Sequence, residues 1–225
     1  MSDEKTPAQM RLKLAVVISG RGGNMIAIAK ACASGQIAAR IVRVIADRRD
    51  AGGIQRAADL GLEVCVVAAR EFADRQAFEA ALGAAIKDSG AELVVLAGFM
   101  RILSPQFTAR YVGAMLNIHP SLLPKFPGLH THQRAIQAGE REHGATVHFV
   151  TGELDAGPAA LQARVAVLAG DTPDTLSARV QEREHMIYPR VIGWIADGRL
   201  HCSGNVLRFD DRVLSSPLIL DQLEA

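Results

Sequence analysis

The stretch Leu12-Lys13-Leu14-Ala15-Val16-Val17-Ile18-Ser19-Gly20-Arg21-Gly22-Gly23-Asn24 decides the fold. Its first eight residues are almost continuously aliphatic. A strand covered on both faces needs that composition, because neither side meets water. The strand runs into a glycine-rich turn. The Ala-rich residues 25–34 then read as a helix stopped by Gly35, a left-handed C-cap signal.

The same unit recurs downstream. Residues 41–46 read as a strand and 51–60 as a helix ending at Gly61. A short strand over 63–67 precedes a helix over 74–88, which ends near Gly90. Leu93-Val94-Val95-Leu96-Ala97 is a strand of the buried kind, Pro105 opens a short helix through 111, and 115–118 form another strand. Strands alternating with helices predict an α/β fold with a mostly parallel central sheet, helices on both faces and right-handed crossovers. Residues 119–132 are a long loop rich in Pro and Gly, a kind that is commonly functional. Strands over 146–150 and 161–167 are joined by 151–158, and 172–196 read as one long helix. Leu176, Val180, Ile187, Val191 and Ile195 form its apolar stripe. Residues 199–213 are expected to form a terminal hairpin. With no internal repeat or linker, residues 1–225 read as a single domain, and residues 1–11 as a flexible polar tail.

Composition narrows the function. The chain has 225 residues, 49% of them hydrophobic, enough for one sizeable core. Lys plus Arg is 25 against 24 for Asp plus Glu, so no broad basic face for nucleic acid is expected, although a local anion site stays open. Cys32, Cys65 and Cys202 lack metal-ligand spacing, and an odd, sparse count fits reduced thiols in the cytoplasm. The N-terminus lacks a signal-like apolar stretch, and no run approaches the roughly 20 apolar residues of a membrane span. The histidines show no zinc-binding pattern, so no metal is assigned.

Three features carry candidate chemistry. The turn Ser19-Gly20-Arg21-Gly22-Gly23-Asn24 is either a tight strand-to-helix connection or a phosphate cradle built from free backbone N–H groups, with Asn24 adding a side-chain donor. It is no dinucleotide fingerprint, because Met25 stands where the third glycine belongs. Asn117 and His119 lie two apart at a strand end, so they point to one side. They are either a capped strand end or a pair of donors for a developing oxyanion. Asp155, in the turn-rich Glu153-Leu154-Asp155-Ala156-Gly157-Pro158, is either a turn former or the carboxylate that stabilises a protonated His119.

Val95-Leu96-Ala97-Gly98-Phe99-Met100-Arg101-Ile102-Leu103-Ser104, Leu116-Asn117-Ile118-His119-Pro120-Ser121-Leu122-Leu123-Pro124 and His143-Gly144-Ala145-Thr146-Val147-His148-Phe149-Val150 together resemble the folate-dependent formyltransferases. The resemblance runs over about residues 12–200. It implies a Rossmann-like fold and direct acyl transfer through a tetrahedral intermediate, in purine (IMP) synthesis. The implied ligands are 10-formyltetrahydrofolate as formyl donor and glycinamide ribonucleotide as acceptor. By position in the family, Gly22, Gly23 and Asn24 would hold the nucleotide phosphate, and Gln181 and Glu184 its ribose and glycinamide end. The folate would lie along Met100, Arg101, Ile102 and Leu103, beside Asn117. Arg75 would approach its glutamate tail, and Thr151, Gly152, Glu153, Leu154 and Asp155 would surround its pterin. Asn117, His119 and Asp155 would be catalytic.

Two departures stand out. Gly23 replaces the Ser or Thr often found in the family, removing a hydroxyl donor, and Gly152 replaces an acidic residue, which is expected to loosen the folate loop. Relatives that use a tRNA or water as acceptor, and a non-enzymatic nucleotide sensor, are the rival readings. The short segment after the long helix and the near-neutral charge weigh against the tRNA acceptor; the phosphate-type loop weighs against water. The reactive trio weighs against a sensor. Either a monomer or a homodimer is compatible with the sequence, and no membrane partner is expected.

Overall fold

The computed structural model describes residues 11–223. The tail read over 1–11 therefore lies, apart from Arg11, outside the described residues. Strands β1 (Leu12–Ile18), β2 (Ala39–Ala46), β3 (Val64–Val66), β4 (Leu93–Leu96) and β5 (Met115–His119) alternate with helices α1 (Gly23–Ala33), α2 (Gly53–Asp59), α3 (Arg75–Asp88) and α4 (Pro105–Thr108). Helix α5 (Thr131–Gln137) leads into β6 (Glu142–Phe149) and β7 (Ala159–Ala166), which precede the long helix α6 (Pro173–Ala196). Strands β8 (Leu200–Ser203), β9 (Val206–Phe209) and β10 (Arg212–Val213) make a small separate sheet, and β11 (Leu218–Ile219) and α7 (Leu220–Leu223) follow.

The main sheet has eight strands in the order β11-β7-β6-β5-β4-β1-β2-β3. Its pairs are parallel from β5 through β3, and β11 pairs parallel with β7, but β6 runs antiparallel to both β5 and β7. The arrangement is the expected α/β, Rossmann-like one with a mostly parallel sheet. The parallel pairing read from alternation holds for β1 through β5, and the antiparallel part begins at β6. No helix intervenes between β6 and β7, which pair as consecutive antiparallel strands.

The two faces of the sheet make two cores, and strand alternation sorts residues between them. Leu14, Val16 and Ile18 of β1 face α1, α2 and α6, while Ala15 and Val17 face α3 and α4. Caps fix where the helices start. Asp74 accepts from the N–H of Ala77, Ser104 from that of Phe107 ahead of Pro105, and Thr172 with Thr175 forms a reciprocal box ahead of Pro173. Tyr188 of α6 is fully buried, and its hydroxyl reaches the carbonyls of Leu96 at 3.0 Å and Leu116 at 3.1 Å. One phenol thereby ties α6 to β4 and β5 just before both strands enter the site.

The loop expected over 119–132 is shorter, because β5 extends through His119 and Thr131 already begins α5. The terminal hairpin gained a third strand. Helix α5 and strand β11 escaped the sequence reading, since a seven-residue helix and a two-residue strand carry too little periodicity to detect. Replacing Tyr188 by Phe should lower unfolding stability by about 1–2 kcal/mol, the usual cost of losing a buried hydrogen bond. A shift in urea midpoint at unchanged slope checks this.

Candidate active site

The carboxyl ends of the neighbouring parallel strands β1, β4 and β5 open onto a cleft of about 630 Å³. Ligands bind beyond such strand ends in open α/β sheets. Its lining includes a first arm, the glycine turn with Ser177, Gln181 and Glu184 of α6, where Asn24 bonds Glu184 and Gly23 approaches Gln181, and a second arm, residues 98–103 and 150–155. Asn117, His119 and His148 line the cleft with both arms.

In the first arm, Gly22 takes φ 76° and caps α1 with no side-chain hydrogen bond, so no side chain caps the first-turn N–H groups. Gly53 donates its N–H to the carbonyl of Gly20 at 3.0 Å, which holds the turn from behind. A Cβ at position 23 would stand 3.1 Å from His185 Nε2 and 3.2 Å from Gln181 Nε2. Two side-chain tips of α6 therefore crowd the place of a Ser or Thr Cβ and would have to shift to admit one. The donor expected from Asn24 is differently used: Nδ2 donates to Glu184 Oε2 at 2.7 Å, while its Oδ1 is buried without a partner among the described residues. Burial pushes the Glu184 carboxyl up to about 6, and the Asn24 bond offsets only part of that. Gln181 and Glu184 both line the cleft, Gln181 exposed and Glu184 buried.

At the centre, Asn117 and His119 face the cleft together, as their spacing requires. His119 Nδ1 lies 3.4 Å from Asp155 Oδ2, and both side chains are 7% exposed. His119 Nε2 donates to the carbonyl of Phe126 at 2.9 Å. Asp155 adopts φ 51°, a left-handed conformation that Asp tolerates better than most residues, and this turn aims its carboxylate inward. Its Oδ2 also accepts from the N–H of Gly128 at 2.8 Å, so it holds both the histidine and the loop after β5. That loop is pinned from below. Thr146 donates to the carbonyl of Ser121 and accepts from the N–H of Leu123, and Gln162 donates to the carbonyl of Leu123.

In the second arm, Met100 and Ile102 expose apolar side chains and Leu154 another, while Leu103 is buried. Arg101 Nε bonds Asp47 Oδ2 at 2.6 Å. Gly152 is exposed, and an added Cβ there would stand 3.0 Å from Pro105 Cβ, a tight contact. Thr151, Glu153 and Asp155 line the cleft as expected. Arg75 does not line it. Its guanidinium is exposed and 4.0 Å from Glu79, whose carboxylate in turn accepts from the N–H of Ser104.

His148 was missed by sequence reasoning. It is 2% exposed, and its Nε2 lies 3.1 Å from Asn117 Nδ2 and 3.8 Å from Asp155 Oδ1. Its position two residues after Thr146 on one strand was the available signal, but only the pairing register supplies its neighbours.

A family model described as formyl transferase matches residues 12–192, and the chain belongs to that family. It is 49% identical over 203 residues to the phosphoribosylglycinamide formyltransferase of Escherichia coli (strain K12), covering 90% of this chain and 96% of that protein. The Haemophilus influenzae phosphoribosylglycinamide formyltransferase is 45% identical over 202 residues, covering 90% and 95%. A solved phosphoribosylglycinamide formyltransferase from Coxiella burnetii, in complex with CHES, matches with a TM-score of 0.88 at 45% identity, over 92% of this chain and 99% of that one.

Glu184 reverses the usual acid behaviour of a carboxylate. Because its folded value is raised, its proton is held more tightly in the folded state. Its contribution to stability is greatest below the ordinary carboxylate range and falls as pH rises towards about 6. The span corresponds to about 2 kcal/mol. Urea midpoints measured across this interval should show that decline, and Glu184→Gln should remove it.

Proposed function

We propose that this chain transfers a formyl group from 10-formyltetrahydrofolate to the amine of glycinamide ribonucleotide, a step of de novo purine synthesis, as a single formyltransferase domain. The observation that carries the reading is the meeting of Asn117, His119 and Asp155 in one cleft that the glycine turn and residues 98–103 also line. The glycine turn offers backbone N–H groups and a helix N-terminus, which suit the ribonucleotide phosphate. Gln181 and Glu184 lie beside it for the ribose and glycinamide end. The apolar rim of Met100, Ile102 and Leu154 suits the flat body of the folate. The glutamate tail then extends past Leu103 towards Arg75.

In the reaction the substrate amine forms a bond to the formyl carbon, and the bond from that carbon to the folate nitrogen breaks. The formyl oxygen gains negative charge in between, and donors preorganised for that charge lower the barrier. Asn117 and protonated His119 supply them. Both ring nitrogens of His119 face protein oxygens, so donation to substrate requires Nε2–H to exchange the Phe126 carbonyl for the formyl oxygen. Asp155 keeps the positive ring in place while this happens. The proton lost by the amine passes to the departing folate nitrogen, through His119 or a water held by Asp155. Holding two substrates in one cleft supplies a further part of the rate, up to about 7–11 kcal/mol in well-oriented systems.

Purified protein should release tetrahydrofolate from 10-formyltetrahydrofolate only when glycinamide ribonucleotide is present. Release without the nucleotide would make water the acceptor. His119→Ala and Asp155→Asn should each lower kcat by about 10²-fold or more, the scale of a lost acid, base or oxyanion donor. The nucleotide Kd, read by calorimetry, should stay nearly constant. Wild-type turnover in both variants would sink the assignment.

A further inference from the structure

His148 and Asn117 stand directly opposite each other in the antiparallel β5–β6 pair, so their side chains share one face of the sheet. Hydrogen bonding fixes the state of the histidine. Nδ1 lies 3.0 Å from the carbonyl of Phe149, which can only accept, so Nδ1 carries a proton. The ring is 2% exposed, and burial pulls His148 below its ordinary value, so it is neutral near pH 7. Nε2 is then bare. Facing it are Asp155 Oδ1 at 3.8 Å, which also lacks a proton to offer when ionised, and Asn117 Nδ2 at 3.1 Å. Only the amide nitrogen can satisfy it. The reversed amide would set two lone pairs against each other at that distance.

We propose that His148 is a positioning residue that fixes the side-chain amide of Asn117 with its nitrogen towards β6, leaving the second amide hydrogen to donate to the formyl oxygen. Without a bare acceptor at this place the amide is free to reverse and present its oxygen. An oxygen there would repel the charge that Asn117 is meant to stabilise. This inference rests on the proposed formyl transfer for its kinetic arm, but its structural arm stands alone.

The structural arm is nitrogen-15 NMR of histidine in the wild-type protein. His148 should show the neutral form protonated at Nδ1, and a form protonated at Nε2 would overturn the proposal. The kinetic arm compares His148→Leu, which removes the acceptor, with His148→Gln, whose amide oxygen replaces it. Leu should lower kcat by about 10- to 100-fold with little change in nucleotide KM, a fraction of the full loss of one oxyanion donor. Gln should recover most of that loss. In an Asn117→Ala background, Leu should cost almost nothing more, because the group it positions is already gone. Losses that multiply, or no recovery with Gln, would show that His148 acts otherwise. Should the Leu variant fail to fold by circular dichroism, the NMR result and the Gln variant in both backgrounds decide. Absence of any formyl transfer by the wild-type protein would refute the proposed function instead, and leave the tautomer to decide the positioning role.

Discussion

Everything around the cleft depends on the antiparallel register between β5 and β6. It sets Asn117 opposite His148 and His119 opposite Thr146. A slip of one residue would turn each side chain to the other face of the sheet. The same register lets Thr146 hold the loop after β5 from below, while Gln162, paired with Thr146 on β7, completes the support. Asn117, His119 and His148 thus stand on paired strands, while Asp155 reaches them from the turn between β6 and β7. Tyr188 adds a brace from α6 by reaching one carbonyl on β4 and one on β5. Rigid elements of this kind hold a reacting geometry better than loops do.

Two buried carboxylates then serve the cleft in different ways. Glu184 is surrounded by little polar company beyond Asn24, and its burial favours the neutral acid. Asp155 instead accepts the N–H of Gly128 and faces His119 and His148. The first lies in the arm assigned to the nucleotide. The second lies where the proposed transfer would make and lose charge. A cleft that separates these environments over a short distance can bind an amine-bearing ligand and handle its proton with the same residue types.

The glycines illustrate how packing rewrites a sequence argument. Gly23 appears in the sequence as a lost hydroxyl, and Gln181 and His185 of α6 crowd the place where its Cβ would stand. Gly152 appears as a source of looseness, and Pro105 stands so near that a Cβ there would need a small shift of its neighbour. In both places the neighbour that crowds the absent Cβ is distant in the chain. Arg75, by contrast, was carried over from the family pattern alone, and its side chain reaches Glu79 rather than the cleft.

The sequence by itself determined the alternation of strands and helices, the buried strand pattern, the helix caps and the spacing that aims Asn117 and His119 to one side. These depend on residues close in the chain, so periodicity and end signals reveal them. The order of its motifs also determined the family. Only the tertiary structure decided that Asp155 reaches His119, that Asn24 spends its amide on Glu184 across 160 positions, and that His148 stands behind Asn117. It also decided the reversal of β6. Those outcomes come from which strands pair and in which register, a choice made by burial of whole faces against one another. No local window of residues contains it.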